Sequence, residues 1–319
     1  MDILYLVAQQ TMFFSIPLLI VALGGMFTER GGVTNIALDG VMIIGAFAGI
    51  FFINQMGQTM SGQLLLILAI LISVSIGIVF SLLLAYSAIN LKSDQIIGGT
   101  ALNMLAPALA IYVARTIQEN GVQQIQFINS FRIFSVPVLG DIPVIGNLFF
   151  KNAYLTTYIG LAILVISVVI LYKTKFGLRL RACGEHPHAA DSVGINVYKM
   201  RYAGVMISGG LAGLGGLVFI IPTSTNFNAT VSGYGFLALA VMIFGQWRPI
   251  KILLAAFFFG LMKTVASAYS VIPILATSAI PGDVYKMIPF IATLIVLAFS
   301  SKSSQAPKAV AIPYDKGSR

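Results

Sequence analysis

The stretch from Gln63 to Ile89 reads QLLLILAILISVSIGIVFSLLLAYSAI and holds no charged residue. A helix needs about 20 mostly apolar residues to cross the hydrocarbon core of a bilayer, and this run is longer than that. Backbone groups in hydrocarbon must bond within the protein, which leaves an α-helix or a strand of a closed barrel. Barrel strands alternate polar and apolar residues; this run does not, so it predicts a transmembrane helix. Outward from it lie eight more such runs: Leu4–Phe27, Asn35–Ile53, Ile96–Ala114, Ala153–Tyr172, Tyr202–Ile221, Gly235–Trp247, Ile250–Tyr269 and Val284–Ser300. The first starts between Leu4 and Thr11, and Gly235–Trp247 is short. The expected fold class is all-α, a polytopic membrane protein of about nine transmembrane helices forming a single domain over residues 1–319.

Composition points the same way. The chain is 58% hydrophobic and 9% charged, with a mean hydropathy of +0.94, whereas soluble domains carry roughly a quarter charged residues. The longest stretches without an apolar run, Arg115–Asn152 and Lys173–Arg201, are too short to bury a core of their own. A net charge of +9 raises nucleic acid as a partner, but Lys and Arg gather at segment ends, as in cytoplasmic loops, and no nucleic acid is expected. With Lys173–Arg201 placed inside and the spans threaded alternately, 14 of the 19 Lys and Arg residues fall inside. Four fall outside (Arg115, Arg132, Lys151, Lys286), and Lys263 falls in a span. The bias puts the C-terminus in the cytoplasm and the N-terminus outside, in a multi-pass protein of the cytoplasmic membrane. The start, Met1-Asp2-Ile3-Leu4, lacks a basic region and a cleavage site, so no removable signal peptide is expected. The single cysteine, Cys183, rules out an intrachain disulfide.

Val41-Met42-Ile43-Ile44-Gly45 in the second span is echoed by Val241-Met242-Ile243-Phe244-Gly245 in the seventh. The threading sends these two spans in opposite directions, as an inverted repeat of spans one to four and six to nine would. Gly31-Gly32-Val33-Thr34-Asn35 precedes the first copy, with Asp39-Gly40 inside it. Thr230-Val231-Ser232-Gly233-Tyr234-Gly235 precedes the second. Glycine and hydroxyl residues weaken helix and free backbone groups to meet a polar solute. Thr34, Asn35, Asp39, Ser232, Gly233 and Gly235, with Asn103 of the fourth span, are therefore the candidate solute path. An ionisable group in a span is functional by default, which singles out Asp39. Asn35 and Asn103 serve either as hydrogen-bonding partners of a solute or as interhelical glue. Glu29 and Arg30 serve either as a hinge or ion pair or as a solvated pair, and Lys263 has a stem long enough to reach an interface.

In the loop Lys173–Arg201, Pro187 suits a first helical position and Gly194 an end, so Pro187–Val193 predicts a short helix between two spans. It is either a solvated connector or an element that carries force from a soluble partner. Ala189-Ala190 followed by Gly194 resembles the Glu-Ala-Ala, three residues, Gly pattern of bacterial ABC importer permeases, with His188 where that pattern has Glu. Three further stretches resemble permeases of nucleoside and simple-sugar importers in the branched-chain amino acid and ribose permease superfamily: Glu29–Gly40, the loop Gly177–Arg201, and Gly233–Ala240 through Gly245-Gln246-Trp247. The likeness covers nearly the whole chain; Asp39 stands where Glu is commoner.

The resemblance implies the shorter of two paired permeases, working with a second permease subunit, a nucleotide-binding ATPase subunit and an extracytoplasmic binding lipoprotein, with a nucleoside as solute. It implies contact with the ATPase through Glu185, Pro187, His188, Ala189, Ala190, Asp191 and Gly194. ATP and Mg would sit on the ATPase, and no cofactor is expected in this chain. Alternatives are the same architecture for simple sugars or branched-chain amino acids, or an ion-coupled secondary transporter using Asp39. No Gly-rich phosphate loop, Gly-x-Ser-x-Gly or catalytic carboxylate pair occurs, so no catalytic site is expected. Cys183, His186 and His188 lack metal-ligand spacing. In the outer loop, Pro137-Val138-Leu139-Gly140-Asp141 is followed by Pro143-Val144-Ile145-Gly146-Asn147, a repeat read as a lipid-facing or partner-facing element.

Overall fold

A computed structural model describes residues 2–118, 121–127, 131–136, 140, 142, 146, 150–269, 282–300 and 305–317. The outer-loop repeat over 137–147 lies outside the described residues apart from Gly140, Ile142 and Gly146. In chain order the helices are α1 (Asp2–Arg30), α2 (Leu38–Met56), α3 (Gly62–Ala85, continued by a π turn to Asn90), α4 (Gln95–Ile117), α5 (Leu155–Lys173), α6 (Lys175–Glu185), α7 (Pro187–Ser192), α8 (Val197–Thr223), α9 (Tyr234–Phe244), α10 (Pro249–Ala268) and α11 (Gly282–Ser300). Each of the nine expected spans falls on a helix. Seven helices are long and apolar enough to cross a membrane, and α9, at 11 residues, is a shorter apolar helix.

Two small ladders depart from an all-helical chain: β1 (Ile125–Gln126) pairs antiparallel with β4 (Asn226–Phe227), and β2 (Arg132–Ser135) with β3 (Lys151–Tyr154). The second difference is α6, in a loop where only α7 was expected. Thr174 starts it by accepting the Gly177 N–H through Oγ1 at 3.2 Å, the side-chain cap that a helix start requires.

The most apolar windows of α1 and α8 are 94% and 83% buried, against 17% for α4, so α1 and α8 form the centre and α4 the rim. Small residues let the central helices approach closely: a side chain on Gly45 of α2 would strike the Gly213 backbone of α8, and one on Gly213 would strike Ser73 of α3. The packing pairs exchange as a repeat demands. α3 lies on α8 as α10 lies on α1, α2 lies on α8 as α9 lies on α1, and α2 packs against α3 and α4 as α9 packs against α10 and α11.

The loops sort onto two faces. On one, the β1–β4 ladder joins the α4–α5 and α8–α9 connections, and Asn54, at the end of α2, donates to the Gln126 carbonyl at 2.8 Å. On the other, the ends of α1 and α9 meet α6, α7 and the tail.

Candidate functional site

Between α1 and α2 the chain runs without helix over residues 31–37, reversing at Gly32, whose φ is 89°. Such backbone needs side-chain partners when it is buried, and α4 supplies them. Gln95 Oε1 accepts the Thr34 N–H at 2.7 Å, Asn103 Oδ1 accepts the Gly40 N–H at 2.7 Å, and Asn103 Nδ2 donates to the Ile36 carbonyl at 2.8 Å. Asn35 turns instead to α8, donating through Nδ2 to Ser208 Oγ at 2.9 Å. Asn35 Oδ1 and Gln95 Nε2 are buried without a protein partner, polar atoms that call for a water or a solute.

The second lead-in turns through Ser232 and Gly233, with φ of 52° and 72°, into α9. The first two turns of α9 pack onto α2, where the Gly235 N–H donates to Asp39 Oδ1 at 2.8 Å. A Cβ at Gly235 would run into the Asp39 backbone, so glycine is required by this close approach. The two lead-ins singled out in the sequence therefore meet, through Asp39 and Gly235. Ser232 is exposed, its N–H held locally by Thr230 Oγ1 at 3.1 Å, and it shapes the turn. Asp39 and Asn103 are half-buried, and beyond them α4 presents Thr100, Met104 and Tyr112 exposed. Lys263 of α10 is half-buried, with Nζ 5.6 Å from the ring centroid of Tyr234, itself stacked on Phe219 at 3.9 Å.

Glu29 and Arg30 are not a solvated pair. Glu29 is 6% exposed and accepts the Trp247 indole N–H at Oε2, 2.6 Å away. Arg30 donates to the Trp247 carbonyl at 3.0 Å and approaches Glu185 of α6 at 3.9 Å. The end of α1 is thus fastened to the end of α9 and to the loop that carries α7. Trp247 was not picked out as a site residue from sequence, although as the chain's single tryptophan, just after the echoed segment, it was a visible signal.

α7 is not a free connector. Ala190 packs with Cys183, Val197 and Tyr314, and the tail lies along it. Tyr314 sits 5.1 Å from the His188 ring and 5.4 Å from Tyr198, Asp191 approaches Lys316 at 3.9 Å, and the Ala309 N–H donates to the Gly184 carbonyl at 2.9 Å. Arg201, 1% exposed, donates to the Ile312 carbonyl at 3.0 Å. Burial pushes the Cys183 thiol up to about 11, against the opposing pull of Arg201. Gly194, with φ 82°, closes the turn after α7. His188, Ala189, Ser192 and Val193 remain exposed, while Glu185 and Pro187 are partly covered. Among the described residues no group of three His, Cys, Asp or Glu side chains is placed to hold a metal ion.

A half-length helix and a helix with a glycine-rich, non-helical lead-in, in corresponding positions of two halves, fit a transporter arrangement, and comparison with known proteins places it. Residues 7–297 match the family described as the permease component of the branched-chain amino acid transport system. The chain belongs to that family. It is a membrane component of an ABC transporter. This permease is 43% identical over its whole length to the guanosine ABC transporter permease protein NupQ of Bacillus subtilis, covering 99% of that protein. It is 40% identical to the nucleoside ABC transporter permease protein NupC of Lactococcus lactis, over 98% of each chain. A second permease of L. lactis, NupB, is 25% identical over 95% of this chain and 84% of its own. No solved structure matches the permease.

Proposed function

We propose that this permease is one of two membrane subunits of an ATP-driven importer, carrying nucleosides inward across the cytoplasmic membrane. The observation that bears most weight is the unbroken chain of contacts from the Asp39–Gly235 junction, through α9 to Trp247, Glu29 and Arg30, to Glu185 and α7. A push on α7 by a separate ATPase subunit, which holds ATP and Mg, is thereby delivered to both halves of the repeat. Glu185, Pro187, His188, Ala189, Ala190, Asp191 and Gly194 form the ATPase-facing region, with α7 and the C-terminus in the cytoplasm. The path runs past Thr34, Asn35, Asp39, Asn103, Ser232, Gly233 and Gly235 and opens alternately to either side. Its exposed flank on α4 supports a second permease that completes it, and the two L. lactis permeases, both related to this chain, support a heterodimer. An extracytoplasmic lipoprotein delivers the solute, and the names of the two relatives support a nucleoside as that solute.

The test is uptake of labelled guanosine into vesicles holding the chain with a co-expressed second permease, ATPase and binding protein. Uptake that needs ATP, survives an ionophore and is not competed by glucose or leucine is the expected result. Asp39→Asn keeps the carbonyl oxygen that accepts the Gly235 N–H and removes the charge. An ABC importer retains most uptake in that variant; loss of uptake together with sensitivity to the ionophore would make it an ion-coupled carrier.

A further inference from the structure

On the face that carries α7, the ends of three spans and the tail line an open cavity of ≈ 570 Å³. Four cations line it: Arg30 at the end of α1, Arg181 on α6, Arg248 just before α10, and Lys308 in the tail. They face one carboxylate, that of Glu185. That carboxylate is spent on Arg30 at 3.9 Å. Arg248 donates only to the neutral Gln305 at 2.8 Å, and Arg181 lies 5.3 Å from the Tyr172 ring centroid with its Nε buried and without a partner. Among the described residues Arg181, Arg248 and Lys308 have no carboxylate partner. Arg248 and Lys308 are exposed and Arg181 is half-buried; three cations without a carboxylate partner around one cavity attract an anion.

The level of the cavity says which anion. Arg30 and Tyr172 close the spans α1 and α5, and Arg248 precedes the first turn of α10, which is the depth of lipid headgroups. Below Tyr172 on the same face of α5, Val169 and Val165 are exposed, 47% and 62%. Below Arg248 on α10, Ile250 and Leu254 are exposed, 57% and 67%. A free phosphate needs the cations alone; acyl chains need the apolar wall that continues beneath them. We propose that this cavity holds the phosphate headgroup of an anionic phospholipid of the inner leaflet, with its chains against α5 and α10, bracing the α6–α7 loop against the span ends. The proposal takes from the transport reading only which face is cytoplasmic.

The experiment is native mass spectrometry of the full chain, delipidated in detergent, against phosphatidylglycerol, phosphatidylcholine and inorganic phosphate. One phosphatidylglycerol per chain is retained and phosphatidylcholine is not. Arg181→Gln with Lys308→Gln weakens retention roughly thirty-fold, the effect of two cations at a membrane surface, and Arg181→Lys with Lys308→Arg restores it. Equal retention of the two lipids overturns the proposal, as does unchanged retention in the neutral variant. Displacement by an equal concentration of inorganic phosphate assigns the cavity to a soluble anion, and loss of lipid on adding the ATPase subunit assigns it to that partner; either also overturns it. The readout is lipid binding, so its failure leaves the uptake assay untouched.

Discussion

Asn103 uses both ends of its amide to replace partners that a helix starting inside a bundle lacks, Oδ1 for Gly40 and Nδ2 for Ile36. Removing them strands a buried N–H and a carbonyl, at about 1–3 kcal/mol for an unsatisfied buried group. Asn103→Ala should therefore lower the melting temperature in detergent by several degrees, and Asn103→Asp, which keeps the acceptor and loses the donor, by less. A melt unchanged in Asn103→Ala would mean that the amide meets solute instead. Cys183 offers a pH readout. With its thiol pushed up to about 11 by burial, it stays protonated through the neutral range, and only the thiolate reacts. Alkylation should be negligible at pH 8 and rise as pH approaches 11; fast labelling at pH 8 would show that the tail leaves Cys183 uncovered. The glycine-rich lead-ins and Asp39 were visible in the sequence because glycine, hydroxyl and charge stand out in an apolar chain. Their partners were not visible, because Asp39 meets Gly235 across 196 residues and no local pattern encodes that distance.

At the level of elements, the spans were legible for a simple reason. Hydrocarbon permits little but helix, so composition alone fixes their type, and even the shortness of α9 showed. α6 was hidden because a basic loop masks its apolar face, Leu180 and Cys183 on one side with Lys175, Arg179 and Arg181 around it. In the proposed mechanism the same loop carries movement to the spans, and the Trp247–Glu29 contact is the joint to test. Trp247→Phe leaves the Glu29 carboxyl buried without its donor, costing about 1–3 kcal/mol, the penalty for an unsatisfied buried polar group. Glu29→Met, which unlike Gln offers no oxygen acceptor, together with Trp247→Phe should cost less than the two single changes added, since each removes the same bond. A double-mutant cycle on thermal stability measures this; strict additivity would dissolve the joint. In the assembled importer the Trp247→Phe variant should also hydrolyse ATP with less uptake per turnover, because the side-chain tie between the end of α1 and the turn after α9 is lost and only the Arg30 bond to the backbone remains.

For the molecule as a whole, sidedness is the property on which transport direction rests, and the fold makes it sharply testable. Arg30, Lys92, Glu185, Trp247 and the tail share one face through the contacts of Arg30 with Trp247 and Glu185, of Lys92 with Asp315 at 2.8 Å, and of Arg201 with Ile312. Residues 121–127 and 224–227 share the other through the β1–β4 ladder. In the orientation proposed above, fourteen basic residues against four favour the first face as the cytoplasmic one. Cys183 is a poor reporter because it is buried, so the experiment starts from a Cys183→Ser background. Val193→Cys, just after α7 and 74% exposed, and Val122→Cys, on the opposite face and 45% exposed, are labelled in intact cells with a membrane-impermeant maleimide. Val122→Cys should label in intact cells and Val193→Cys only after permeabilisation. The reverse pattern would put α7 outside, beyond the reach of any cytoplasmic ATPase, and no arrangement of the inner contacts could then transmit ATP hydrolysis to the Asp39–Gly235 junction.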